Sequence, residues 1–224
     1  NLYLFHKSSN SPLWSYDADD DVKAVSISAD GNYIAGSTSY ETDKLYLFHK
    51  DSSTPLWSYT LLSGTNKNDL DISADGKYIA VGGAGQKLIL FNVSSSTPIW
   101  TKDVCGYDVN SVSISADGEY IVIACHSGPD EELYLFDKDS STPLWSYEGG
   151  ENINSVSISA DGKYIVAGTS NDKIHLFDRS SSTPIWSYSA SSDVTSVSIS
   201  ADGEYIVIGT AADAIFLFDK DSST

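Results

Sequence analysis

The 224-residue chain has no methionine, a single arginine, Arg179, and two cysteines. No apolar run approaches the roughly 20 residues that cross a bilayer as a helix, so no membrane insertion is expected. Thirteen basic residues face 31 acidic ones, a formal charge of -18. A surface so poor in positive charge excludes electrostatic attraction to nucleic acid or anionic lipid, and leaves basic groups and cations as natural partners. The same charge also serves solubility or adaptation to salt. Two cysteines are too few for a disulfide framework and fit either redox compartment. No charged-then-apolar leader precedes Asn1, and the chain opens in the middle of a repeat, as expected of a processed form or a portion of something longer.

What the chain has in abundance is itself. A unit of about 43 residues recurs five times, marked by Trp14, Trp57, Trp100, Trp145 and Trp186, each in a Pro-Leu/Ile-Trp step. The last copies show its plan. Val194 to Ser200 alternates apolar and small polar residues at period 2, a strand with unequal faces. Ala201-Asp202-Gly203-Glu204 is a turn in which Asp bonds its own backbone and Gly supplies positive φ. Tyr205 to Thr210 is a continuous apolar strand of the kind covered on both faces. Ile215 to Asp219 is a third strand, and Pro-Leu-Trp-Ser-Tyr in the other copies is a fourth, its proline at the strand start or an outer edge. Four short strands per fixed period predict an all-β fold, a β-propeller of four-stranded antiparallel blades, as one domain over residues 1–224.

Comparing the copies separates two rims. The turn between the first two strands is Ala-Asp-Gly in all five, at Asp30, Asp75, Asp117, Asp161 and Asp202, and the turn before the fourth strand stays close to Lys-Asp-Ser-Ser-Thr. The loops at the opposite ends differ in every copy. Scaffold positions must stay alike for blades to stack, whereas binding loops diverge, so a binding surface is expected on the variable rim.

The stretch Ser111 to Val122 resembles the first hairpin of WD-repeat blades, and Leu133 to Tyr147 resembles the tryptophan-bearing half of pyrroloquinoline-quinone-type propeller repeats. Together the two resemblances cover the whole chain and imply propeller architecture. The Gly-His and Trp-Asp signatures of WD repeats are absent, as are the cofactor ligands and adjacent cysteines of the eight-bladed quinone enzymes. The resemblance therefore carries over the scaffold and not the redox chemistry. Residues Asn1 to Ser11 match Ala214 to Thr224. The simplest closure has Pro12 to Tyr16 completing the last blade, giving five blades and leaving the first eleven residues redundant. Six or seven blades apply if the chain is a fragment, and the spare strand offers a route to self-association.

Candidate chemistry gathers on the variable rim. Asp17, Asp19 and Asp21 alternate as in calcium loops, without their glycine and distal glutamate, and a solvated acidic loop is the competing reading. Tyr40, Glu41, Tyr107, Asp108, His126, Asp130, Glu131 and Glu151 complete the candidate ligand-binding set on the same rim. Cys105 and Cys125 lie at adjacent strand ends, where a disulfide and two buried thiols are equally open readings. His6, His49 and His175 lie in or after third strands and read as surface or blade-edge residues with no serine or cysteine nucleophile beside them. The recurrence of the five tryptophans at one position points to blade packing rather than to a ligand platform. Asn92-Val93-Ser94 is a glycosylation sequon, a feature of exported proteins.

The expectation is a non-enzymatic binding scaffold, extracellular or at a cell surface, holding a protein or a basic or cation-bridged ligand. No cofactor is expected, with calcium the one the spacing admits. The alternatives are a structural assembly module and, third, an enzyme with its site at the propeller channel.

Overall fold

The computed structural model describes all residues except 40–42, 62–68, 84–85, 107, 127–131 and 223–224. Every regular element among the described residues is a strand. Strands β1 (Leu2–Phe5) and β2 (Pro12–Tyr16) form a two-stranded sheet. Four sheets of four strands follow: β3 (Asp21–Ile27), β4 (Tyr33–Ser39), β5 (Lys44–His49), β6 (Trp57–Thr60); β7 (Asp69–Ile72), β8 (Tyr78–Gly83), β9 (Lys87–Asn92), β10 (Pro98–Asp103); β11 (Val109–Ile114), β12 (Tyr120–Cys125), β13 (Leu133–Asp137), β14 (Trp145–Tyr147); and β15 (Ile153–Ile158), β16 (Tyr164–Thr169), β17 (Lys173–Asp178), β18 (Trp186–Ser189). Strands β19 (Val194–Ile199), β20 (Tyr205–Thr210) and β21 (Ile215–Asp219) form a last sheet of three. Each sheet is an antiparallel meander. First strands of successive sheets neighbour one another, so β3, β7, β11, β15 and β19 make the inner wall and β6, β10, β14 and β18 lie outermost.

The repeated Ser-Ala-Asp-Gly-x-Tyr stretch explains its own turn. The Ser115 hydroxyl donates to the Asp117 carboxylate at 2.7 Å and accepts the Tyr120 amide at 3.0 Å, closing the turn from inside. Ser28, Ser73, Ser159 and Ser200 repeat the pattern. Gly118 has φ of 74°, and a Cβ there would collide with the ring of Tyr78 in the preceding sheet. Alanine is thus excluded by backbone and neighbour together.

Blades join through the same residues. Each indole N–H donates to a carbonyl in the next sheet's turn, Trp57 to Val93, Trp100 to Lys138, Trp145 to Arg179 and Trp186 to Lys220, all at 2.7 Å. Each indole also lies over a buried phenylalanine of that next sheet, as Trp100 does over Phe136 with centroids 5.9 Å apart. Arg179, besides offering its carbonyl, stacks its guanidinium 4.2 Å from the Tyr120 ring centre. The tryptophans are therefore blade-to-blade connectors, half-buried rather than fully enclosed.

The expected closure differs from the structure. Pro12 to Tyr16 does not complete the last sheet; it pairs with β1 in the register Leu2↔Tyr16, Tyr3↔Ser15, Leu4↔Trp14. The reason is local: β1 is joined to β2 by a short turn, so its closure entropy is far smaller than that of joining residues some 200 positions apart.

Two effects separate at Trp100. Trp100→Phe keeps the ring and removes the donor, and is expected to cost about 1 kcal/mol. Trp100→Ala opens a cavity beside Phe136 and is expected to cost about 3 kcal/mol. Asp19 sits on the rim with φ of 57°, so its control is Asn, which tolerates that conformation, and Asp19→Asn is expected to stay within about 0.5 kcal/mol. Urea unfolding of the three variants checks the order; equal losses at positions 100 and 19 would reverse the assignment of scaffold and surface.

Candidate functional site

The variable rim is richest in departures from the repeat over the sheets β11–β14 and β15–β18. Cys105 and Cys125 are bonded, with Cα atoms 5.7 Å apart, and tie the entry of β11 to the end of β12. The backbone carries the band onward: the His126 amide donates to the Asp108 carbonyl, Cys125 to Glu132, and Glu132 to Tyr147. Asp108, His126 and the disulfide are thereby held beside Glu132, which stands where β5, β9 and β17 begin with lysine.

Glu132 is buried, and its carboxylate accepts the Gly149 amide at 2.6 Å. Burial pushes its carboxyl above the usual glutamate value, while the amides of Gly149, Glu151 and Gly150 oppose that rise. Two residues further along the same loop, Glu151 is also buried and ion-paired with the Lys173 ammonium. Its second oxygen faces His175 Nε2 at 3.5 Å, close enough for charge interaction but without hydrogen-bond geometry, so both atoms lack a bonded partner. The other ring nitrogen, Nδ1, is 2.7 Å from the Ser187 hydroxyl. Tyr147 packs its ring on the imidazole with centroids 5.6 Å apart.

Two expectations change here. His175 is not a surface residue: it is buried between sheets, where β5 and β13 carry Tyr46 and Tyr134. Nor is it without a serine, because the cross-strand pair His175↔Ser187 brings the hydroxyl to the ring. Neither fact shows in linear sequence, since the partners lie on different strands and in a loop 24 residues away. Burial is the first cause of a lowered His175 pKa; Glu151 opposes it and Lys173 adds to it.

A second pair of acidic residues escaped the sequence reading. Asp69 and Asp71 occupy β7 where β11, β15 and β19 carry two serines, as Ser111 and Ser113 do, and β3 carries Ala24 and Ser26. They take over the serine task of accepting the next sheet's amides, Val112 to Asp69 at 2.8 Å and Ile114 to Asp71 at 3.1 Å. Ser26 also donates to Asp71 at 2.9 Å. Desolvation raises both carboxyls above the usual aspartate value, against the amides and hydroxyls that stabilise the charged form. The signal was present as Asp-Leu-Asp in place of Ser-Val-Ser.

The acidic loop at Asp17, Asp19 and Asp21 lies elsewhere, at the β2–β3 junction. Its groups serve local contacts: Asp17 accepts the Asp19 amide at 3.3 Å, and Asp21 pairs with Lys23 at 3.4 Å. Among the described residues no three His, Cys, Asp or Glu side chains converge on a metal position. Tyr40, Glu41, Tyr107, Asp130 and Glu131 fall outside the described residues.

Antiparallel blades docked by tryptophan, with one constant and one divergent rim, define a β-propeller repeat protein. The chain belongs to the PQQ_2 family, described as "Outer membrane protein assembly factor BamB", whose model matches residues 41–209. No curated protein matches the chain by sequence. In fold it is similar to the beta-propeller domain of Cps50 (Swd1) from Myceliophteria thermophila, with a TM-score of 0.73 at 15% identity. That superposition covers 89% of this chain and 65% of the Swd1 chain.

The buried ionisable groups make opposite demands on pH. An imidazole whose folded value is depressed binds its proton in the unfolded state first, so stability falls as pH drops through the ordinary histidine value near about 6.5. His175→Tyr, taking the residue of the first and third four-stranded sheets, is expected to flatten the loss of melting temperature between about pH 7 and 5. Carboxyls raised in the folded state cost stability as pH climbs past the ordinary aspartate value of about 3.9, and the cost is complete once pH exceeds their folded values. Asp69→Ser with Asp71→Ser keeps the acceptors, and is expected to raise the melting temperature at about pH 8 with a gain that shrinks towards pH 4. Thermal unfolding across pH reads both; a pH-independent change in either variant would assign its effect to packing.

Proposed function

We propose that the chain is a non-enzymatic binding scaffold that offers its variable acidic rim to a protein partner bearing basic groups, or to a ligand bridged to it by a cation. The observation that carries this reading is the asymmetry of the two rims. The constant rim spends its polar groups on the repeat: Ser-Asp-Tyr turn locks, indole donors and the amide bonds Ala116 to Ala160 and Ala160 to Ala201. The variable rim carries features that no other copy repeats, above all the disulfide, the Glu148-Gly149-Gly150-Glu151 loop and the exposed His126. Divergent loops on a repeated scaffold are where recognition resides.

The fold and the family both support a scaffold for protein interaction. The family's description names an assembly factor for outer membrane proteins, a task performed by contact with other polypeptides. An extracellular or cell-surface setting is supported by that description and by the Cys105–Cys125 bond, which suits an oxidising compartment. Calcium enters only as an ion bridging the Asp17, Asp19 and Asp21 loop to its partner, because these carboxylates do not by themselves converge on a metal position.

Titration with a fluorescent oligolysine peptide and an oligoglutamate control tests the rim. Asp19→Lys, Asp108→Lys and Glu148→Lys together are expected to weaken oligolysine binding about tenfold or more at low salt. Asp51→Lys, Asp139→Lys and Asp221→Lys on the constant rim are expected to leave it within about twofold. Equal losses from both sets would reduce the interaction to overall charge. A melting temperature unchanged between calcium and chelator would remove the bridging ion and leave direct protein contact.

A further inference from the structure

Every internal junction joins two chemically defined faces. The second and third strands of one sheet present Ala35, Leu45 and Leu47, and the next sheet receives them with Leu70, Ile72 and Ile79. The junction after β11–β14 repeats this with Val122, Leu133 and Leu135 against Ile153, Val156 and Ile158. At the start of the chain β1 supplies the presenting residues, and Leu2 and Leu4 pack towards Ile34, Tyr46 and Phe48.

The last sheet carries the same presenting set with nothing on it. Ile215 and Leu217 are 80% and 71% exposed, where their counterparts Ile174 and Leu176 are at 0%. The receiving set on the first four-stranded sheet is open as well. Val25 and Ile27 are 62% and 51% exposed, whereas Val112 and Ile114 are at 5% and 7%. An apolar cleft of about 360 Å³ lies there, between β1 and β3, lined by Leu2, Leu4, Val25, Ile27 and Ile34. The polar pattern matches too. Ser155 and Ser157 accept the amides of Val197 and Ile199, and Ser196 and Ser198 stand ready to do the same for the counterparts Val25 and Ile27. The two open faces are the two halves of one junction.

One constraint governs their meeting. β1 and β21 are copies of the same strand, and β2 is the single outer strand between them. A complete sheet of β19, β20, β21 and β2 forms only if β21 takes the seat that β1 holds. We propose that a second copy of this chain docks its β19–β21 sheet on the open face of the first, with its β21 displacing β1 beside β2. The occupant is a second copy because the two faces of this one chain match in residue and register, Ile215 and Leu217 as the presenting set and Val25 and Ile27 as the receiving set. The contact is head to tail, and a heterologous contact propagates from copy to copy until rotation closes it. The docking faces share no residue with the acidic rim.

Equivalent residues then have opposite effects, which a merely sticky surface would not produce. The mass of the 224-residue chain is followed by sedimentation from about 1 to 100 μM. The unmodified chain is expected to grow in mass across that range. Leu217→Asp is expected to hold it at a single copy. Leu4→Asp loosens β1 from the shared seat and is expected to shift association to about tenfold lower concentration, by raising the competent fraction. Because a strand variant can fail by unfolding, the seat is also read by cross-linking. Ser15→Cys with Phe216→Cys places thiols where Ser15 now faces Tyr3, and oxidation is expected to give multimers on a non-reducing gel. A constant single-copy mass, or the same shift from both leucine variants, would overturn the proposal. So would a bond formed only within one copy, which would mean that the chain closes on itself.

Discussion

The structure depends on the docking of one indole onto the next blade. A four-stranded sheet of this sequence has apolar residues on both faces and cannot bury either alone. The indole N–H fixes the spacing of neighbours by reaching a turn carbonyl 34 to 38 residues on, in the sheets from Trp57 to Trp186. Its ring covers a phenylalanine, and at the inner end a tyrosine fills the space left by the missing glycine side chain. Polar and apolar parts of the contact act at the same residues, so register and burial are set together. Loss of one connector therefore weakens two sheets, the nearest-neighbour coupling expected of repeat arrays.

This coupling explains where sequence divergence is tolerated. The constant rim is committed to contacts between blades, and a substitution there is felt by a neighbour. The variable rim belongs to each blade separately, and its loops change without altering the stacking. The sheets β11–β14 and β15–β18 exploit that freedom most: a disulfide, a glycine-containing loop and four buried or half-buried ionisable groups meet within one junction. Buried charge of this kind adds little net stability, because desolvation offsets attraction. Its presence beside an otherwise uniform scaffold supports the proposal that recognition lies on this rim.

How much of this was readable beforehand follows the range of each interaction. Strand identities, the Ser-Ala-Asp-Gly turn and the packing role of Trp100 depend on contacts within a repeat or between equivalent positions, and the period exposes them. His175 looked like a surface residue because its burial comes from Tyr147 and Glu151 in the preceding blade and loop, which no local pattern registers. Asp69 and Asp71 were overlooked for the opposite reason. They stand in a register that makes them acceptors for Val112 and Ile114, and only alignment against the serines of other blades reveals the exchange. The seam was misread because duplicated sequence shows that two strands are equivalent, but proximity along the chain decides which one reaches β2 first.

Charge and the seam bear on one another. The two open faces are apolar, yet each belongs to a chain carrying eighteen excess negative charges. Bringing two copies together gathers like charge, at a cost that salt reduces over the Debye length of about 8 to 10 Å. Apolar contact at the seam is short-ranged and hardly screened, whereas repulsion between distant acidic loops is long-ranged and strongly screened. On the proposed docking, ionic strength therefore sets the balance between separate chains and docked ones without touching the contact itself. A cation or basic partner held on the rim acts in the same direction, lowering the net charge that keeps copies apart. The proposed binding at the rim and the proposed docking at the seam are in this way coupled through the field of the whole molecule, though they share no residue.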